Sequence, residues 1–235
     1  GDLVQAAQGC YDAALRYRAP FISGKDSFNN EYLGSDGQRH AIPPTLLISA
    51  LGWMPDWQQA LTMDLKAAGS ALYLVGRFEP VFGGSHFNRV HPQAAVDEGV
   101  PRCSPENPPV YRALYRAITD RLVSACHDLS EGGLAVAAAE MAIAGRLGVR
   151  LDLDDELDTQ RALFGETGGC LLVEVSPEHQ PAFEEQMGAA PYRRIGAVTG
   201  EPALQMFFRE KNRFQVALDD LLLAWKERVV AGGTA

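Results

Sequence analysis

The run Ser23-Gly24-Lys25-Asp26-Ser27 gathers within five residues the groups that suit a nucleotide. Glycine lets the backbone come close to a ligand, and lysine offers a cation to phosphate. Aspartate offers an oxygen to magnesium, and serine can bond a phosphate or substrate oxygen. The GxxxxGK[ST] spacing of a P-loop is absent and no helical pattern follows, so the run is not that motif. An ordinary polar turn has the same composition. Asn29, Asn30 and Glu31 extend the polar cluster.

A second run, His127-Asp128-Leu129-Ser130-Glu131-Gly132-Gly133, stands just before a stretch of small residues with helical pattern. Backbone N–H groups at a helix start attract anions, and paired glycines admit a ligand. The alternative is that Ser130 caps the helix while Asp128 and Glu131 complement its dipole. Gly83-Gly84-Ser85-His86 and Gly165-Glu166-Thr167-Gly168-Gly169 are glycine-rich loops that could form anion nests or simply tight turns. His40, His86, His91, His127 and His179 form no HxH or HxxxH pair, so a histidine metal site has little support. Asp152, Asp154, Asp155, Glu156 and Asp158 read as a solvated acidic face rather than a cation site. There is no GxSxG elbow.

The elements that must position these residues alternate between strand and helix. Leu3, Val4, Ala7, Tyr11, Ala14 and Leu15 keep helical spacing over about 2–18, with Asp2 as a plausible cap. Residues 20–23 read as a strand running into the Gly24 loop, and 45–52 as a strand buried on both faces. A boundary is expected near residue 60, after which 70–76 starts another strand. A proline-rich irregular stretch leads to a helix from Pro109 to about Cys126, then a loop at 127–133 and an alanine-rich helix at 134–144 ending on Gly145 as its left-handed cap. Strands at 149–153, 170–175 and 194–198, a short helix at 181–187 and a closing helix around Leu218–Val229 complete an α/β (α+β) reading.

Across 235 residues, 46% are hydrophobic and 22% charged, as in globular proteins rather than disordered or fibrous ones. Thirty acidic against 21 basic residues give a formal net charge of -9, so nucleic acid and anionic membranes are poor partners and any anion site must be local. No apolar run approaches the roughly 20 residues of a membrane span, and a cytoplasmic protein is expected. Cys10, Cys103, Cys126 and Cys170 lack CxxC spacing and read as reduced, mostly buried thiols. The chain opens on Gly1, directly in helical pattern, which leads us to expect that it is a fragment.

Taken together, PFISGKDSFNNEY at 20–32, FGGSHF at 82–87, HDLSEGGLAVAAAEMA at 127–142 and LFGETGGCLLVEV at 163–175 resemble the phosphoribosylformylglycinamidine synthase family, in order and spacing, over residues 1–200. Its superfamily includes aminoimidazole ribonucleotide synthetase, selenophosphate synthetase and thiamine monophosphate kinase, all of which bind ATP. The resemblance implies a duplicated synthetase in which ferredoxin-like A domains build a barrel and each is followed by an α/β B domain. Residues 1–58 would be the end of the second A domain, and 64–230 the second B domain, similar to the aminoimidazole ribonucleotide synthetase C-terminal domain. The implied activity is ATP- and Mg2+-dependent conversion of formylglycinamide ribonucleotide to its amidine, with ammonia from a glutaminase subunit or domain. The catalytic histidines and main magnesium carboxylates would lie in the first half, so the isolated chain is expected to be inactive.

By resemblance, Gly24 contacts ATP, Lys25 faces the magnesium and phosphate, and Ser27 touches the ribonucleotide. Many small-type enzymes carry asparagine where Lys25 stands, and lysine cannot donate an oxygen to magnesium, so either lysine binds phosphate directly or Asp26 supplies the oxygen. Gly84, Ser85, Asp128 and Gly133 resemble the duplicated counterpart of substrate-holding loops, and would hold nothing or an auxiliary phosphate or nucleotide. A non-catalytic scaffold half and a sister synthetase or kinase are the alternative readings. An open barrel edge makes self-association, as a homo-oligomer, plausible.

Overall fold

The computed structural model describes residues 1–27, 29–153, 158–208 and 211–231, so Asp154, Asp155 and Glu156 of the acidic run lie outside the described residues. The chain divides into two compact units, Gly1–Pro55 and Asp56–Ala235.

The first unit carries helix α1 (Asp2–Tyr17), which stops where Arg18 turns left-handed at φ 54° and returns its N–H to the carbonyls of Ala14 and Leu15. No residue of α1 is buried, and its apolar stripe of Leu3, Val4, Tyr11 and Leu15 is exposed. A short antiparallel hairpin, β1 (Glu31–Leu33) with β2 (Arg39–Ala41), is fastened by the Arg39–Glu31 ion pair. The two other strands expected from the sequence do not form. Residues 20–23 and 45–52 are irregular chain without a ladder among the described residues, and Ile22, Leu47 and Leu51 are 85%, 88% and 92% exposed. A strand needs a neighbouring strand to accept its N–H groups, and among its described residues this unit supplies only the hairpin.

The second unit is built on a sheet of seven strands among the described residues, in the order β4-β6-β3-β7-β5-β8-β9. Its strands are β3 (Ala71–Val75), β4 (Ala125–Asp128), β5 (Gly148–Leu153), β6 (Leu171–Val175), β7 (Tyr192–Thr199), β8 (Ala203–Phe208) and β9 (Lys211–Ala217). Neighbours run antiparallel except β5 and β8, which are parallel. The unbroken apolar run of β3 is explained by helices on both faces. Leu72 and Leu74 point into a core with α4 (Gly133–Gly145), whereas Ala71, Tyr73 and Val75 meet α3 (Asn107–Thr119) and α6 (Gln180–Met187). The architecture is mixed α/β, as the alternating pattern implies.

Several local expectations are corrected. The third helix ends at Thr119, with Arg121 left-handed at φ 60°, and residues 125–128 are strand β4 rather than helix end and loop. Arg146, not Gly145, takes the left-handed cap of α4. A Cβ at Gly145 would strike the Leu65 backbone, so this glycine serves close packing. Ser130 does not cap α4 with its side chain; Gly132 is the cap residue, at φ 81°. Of the four free thiols Cys170 is buried, Cys10 and Cys126 are half-buried and Cys103 is exposed. The short helices α2 (His86–Val90) and α5 (Thr159–Phe164), the strands β8 and β9, and the terminal α7 (Leu218–Ala231) complete the unit.

Candidate functional site

The Ser23–Ser27 run lies on exposed chain in the first unit, between α1 and the hairpin. The Lys25 ammonium folds back to donate to the Asp26 carbonyl and, at 2.7 Å, to the Ser27 hydroxyl. A Cβ at Gly24 would meet nothing within 4 Å. The loop therefore presents a cation, a hydroxyl and open backbone side by side, and the Asp26 carboxylate is exposed next to them. These groups suit an anionic oxygen ligand such as phosphate.

In the second unit the three glycine-rich loops converge. The carboxylate of Glu166 accepts from the His86 N–H at 2.8 Å and the Gly132 N–H at 3.0 Å, joining the 82–87 loop to the start of α4. Its backbone pairs both ways with Val81 at 2.9 Å. Gly133, at φ 70°, packs against the Gly165 carbonyl, where any side chain would collide. Ser85 is buried; its hydroxyl donates to the Phe82 carbonyl at 2.7 Å and accepts from the Asn88 N–H at 3.3 Å, capping α2. Gly84 takes φ 70° with Val100 beside it. Asp128 is exposed and sits 3.3 Å from Nδ1 of His127, whose Nε2 meets Glu140 of α4 at 2.8 Å.

Beside these loops a pocket of about 610 Å³ is lined by His86, Phe87, Glu131, Gly132, Phe164 and Trp225. Two of its lining rings, Phe87 and Phe164, stack with centroids 6.2 Å apart, and Phe87 also stacks on the buried Phe82 at 4.5 Å. Hydrogen bonds from its own backbone N–H and from Ser130 hold the Glu131 carboxyl below its ordinary value. Sequence reasoning reached Gly84, Ser85, Asp128 and Gly133 but passed over Asn88, Glu98, Glu140 and Arg161. Those residues act from outside the glycine runs, and no periodicity marks them.

The fold and loops thus define a mixed α/β domain with clustered glycine-rich turns. Residues 67–209 match the family described as AIR synthase related protein, C-terminal domain, and the chain belongs to that family. The phosphoribosylformylglycinamidine synthase subunit PurL of Lactobacillus acidophilus is 35% identical over 96% of this chain and 29% of its own length. That of Synechocystis is 32% identical over 83% of this chain and 26% of its own. The chain therefore spans under a third of these curated relatives. Among solved structures, Thermotoga maritima PurL complexed with FGAR superposes with a TM-score of 0.62 at 18% identity, covering 70% of this chain and 30% of that one. That likeness concerns the fold. Among the described residues, no helix is long and apolar enough to cross a membrane.

Proposed function

We propose that the chain is a second-half portion of a cytoplasmic phosphoribosylformylglycinamidine synthase, an ATP-dependent carbon–nitrogen ligase of purine biosynthesis. Residues 1–58 are then the end of the second A domain and 64–230 the second B domain. In the assembled enzyme the amide oxygen of formylglycinamide ribonucleotide is phosphorylated by ATP, and ammonia from a glutaminase partner displaces the phosphate to give the amidine. The relatives named PurL support this reading through 35% identity over nearly the whole chain. The observation that carries it is the Lys25–Ser27 cluster beside the unobstructed Gly24 backbone, a compact arrangement for gripping phosphate.

Within this proposal Gly24 and Lys25 meet the ATP phosphates and Ser27 meets the ribonucleotide. Asp26 is the residue of the loop able to give magnesium an oxygen. Among the described residues no three His, Cys, Asp or Glu side chains gather as a metal site. Mg2+ would therefore be held by nucleotide phosphate oxygens and by the carboxylates expected of the first half, with at most one carboxylate from this loop. The exposed apolar side chains of the first unit, Leu3, Ile22, Leu47 and Leu51 among them, favour its completion by the synthetase's first half. The chain alone is accordingly inactive in amidine formation.

The experiment is calorimetric titration of the chain with Mg-ATP and with formylglycinamide ribonucleotide, beside Lys25→Ala and Ser27→Ala. ATP binding that weakens in Lys25→Ala and ribonucleotide binding that weakens in Ser27→Ala support the roles. Binding unaffected by either change, or amidine formation by the chain alone, rejects them.

A further inference from the structure

The glycine-rich loop Phe82–Ser85 is covered by its own chain. The segment 95–100 runs directly over it: a Cβ at Gly83 would strike the carbonyls of Glu98 and Gly99, and one at Gly84 would lie 3.1 Å from the Val100 side chain. The segment is pinned at two places. Asn88 clamps Val96 from both sides, its Nδ2 donating to the Val96 carbonyl at 2.8 Å and its Oδ1 accepting the Val96 N–H at 3.1 Å. Glu98 accepts from the Phe82 N–H, and both its oxygens receive Nη1 of Arg161, at 2.8 and 2.9 Å. Arg161 is itself held by the Pro80 carbonyl at 3.4 Å and by the Phe82 ring 4.8 Å away.

These contacts have one chemical theme. A backbone N–H in a glycine-rich turn is a donor for anions, and here the anion at Phe82 is a carboxylate of the same polypeptide. The nearby His86 and Gly132 amides are likewise taken by Glu166. We propose that segment 95–100 is a latch whose catch is the Glu98 carboxylate, closing over Gly83–Gly84 and keeping the Phe82 amide from outside anions. Arg161 is the keeper that holds the catch in place, and Asn88 is the hinge-side anchor. The proposal concerns the second unit alone and stands independently of the roles given to Lys25 and Ser27.

The test uses the full chain, with Glu98→Gln, Glu98→Ala and Asn88→Ala, and two readouts by amide NMR. Losing a hydrogen bond to a charged group corresponds to about 10-fold or more in the opening equilibrium. The Phe82 and Val96 amides should therefore exchange with solvent at least about 10-fold faster in the variants, while Leu72 and Tyr73 of β3 keep their wild-type rates. Inorganic pyrophosphate should move the Phe82 and Gly84 amide signals in Glu98→Ala at concentrations that leave the wild type unchanged. Unaltered Phe82 exchange in the Glu98 variants overturns the latch. So does a rise spread evenly over β3, which would make the segment part of the core, or equal pyrophosphate response in wild type and Glu98→Ala.

Discussion

Glu174 offers the sharpest stability prediction. It lies on β6, is wholly buried, and its carboxylate accepts the backbone N–H groups of Lys66 at 2.8 Å and Ala67 at 3.0 Å. A buried carboxylate persists only with such partners, and here it fastens Lys66 and Ala67 to an interior strand of the sheet. Glu174→Gln keeps the shape but offers one acceptor where two are needed, and turns an amide NH2 toward a backbone N–H. One charge-assisted bond lost, at about 1.5–3 kcal/mol, and one amide left unpaired, at about 1–3 kcal/mol, give roughly 2–5 kcal/mol after overlap between the two effects. For a unit of this size that lowers the melting temperature by about 5–15 °C. Urea unfolding at neutral pH measures the loss, and exchange of the Lys66 and Ala67 amides localises it. A variant within about 0.5 kcal/mol of wild type would refute the reasoning, since surface-like substitutions behave that way.

Other expectations follow from the same geometry. The Phe82 N–H and then Arg161 hold the Glu98 carboxyl below its ordinary 4.5; its contribution is therefore full above that value and is lost as pH falls through the lowered one. The Phe82 amide signal should accordingly stay constant from pH 8 to 5 and move only in more acid solution, and a transition between pH 6 and 8 would contradict this. Gly133→Ala, forced into φ 70° against the Gly165 carbonyl, should cost about 2 kcal/mol or more, whereas Gly24→Ala, with open space around it, should change stability by less than about 0.5 kcal/mol in urea unfolding. Burial pushes the Cys126 and Cys170 thiols up to about 12, so a disulfide reagent at pH 8 should label Cys103 and leave both unreacted in the native state; labelling of all three at one rate would contradict it.

The core of the second unit was legible because its signals are local. SALYLVG reads as a strand and LAVAAAEMA as a helix of small residues, although that β3 is covered on both faces is seen only in the fold. Residues 203–217 escaped notice, since the pairing of β8 with β9 and its parallel match to β5 depend on neighbours distant in sequence. The 125–128 strand was hidden behind a helical pattern that Arg121 interrupts by going left-handed, an event composition does not announce. In the first unit the mismatch between composition and fold runs the other way. Thr45–Gly52 has strand composition, but composition cannot provide the second strand, and the segment remains exposed. The glycines of the candidate loops were readable as glycines. That Gly133 serves packing against Gly165, while Gly83 lies under a carboxylate-bearing segment, required the fold.

The most direct test of the proposed function is a chimera in which these 235 residues replace the matching 29% of the Lactobacillus acidophilus PurL subunit. The account predicts that the chimera, supplied with ATP, ammonia and formylglycinamide ribonucleotide, forms the amidine. It also predicts that Lys25→Ala lowers kcat/KM by about 100-fold, as loss of a charged phosphate contact would. A folded chimera that is inert, or one whose rate is indifferent to Lys25→Ala, would contradict it.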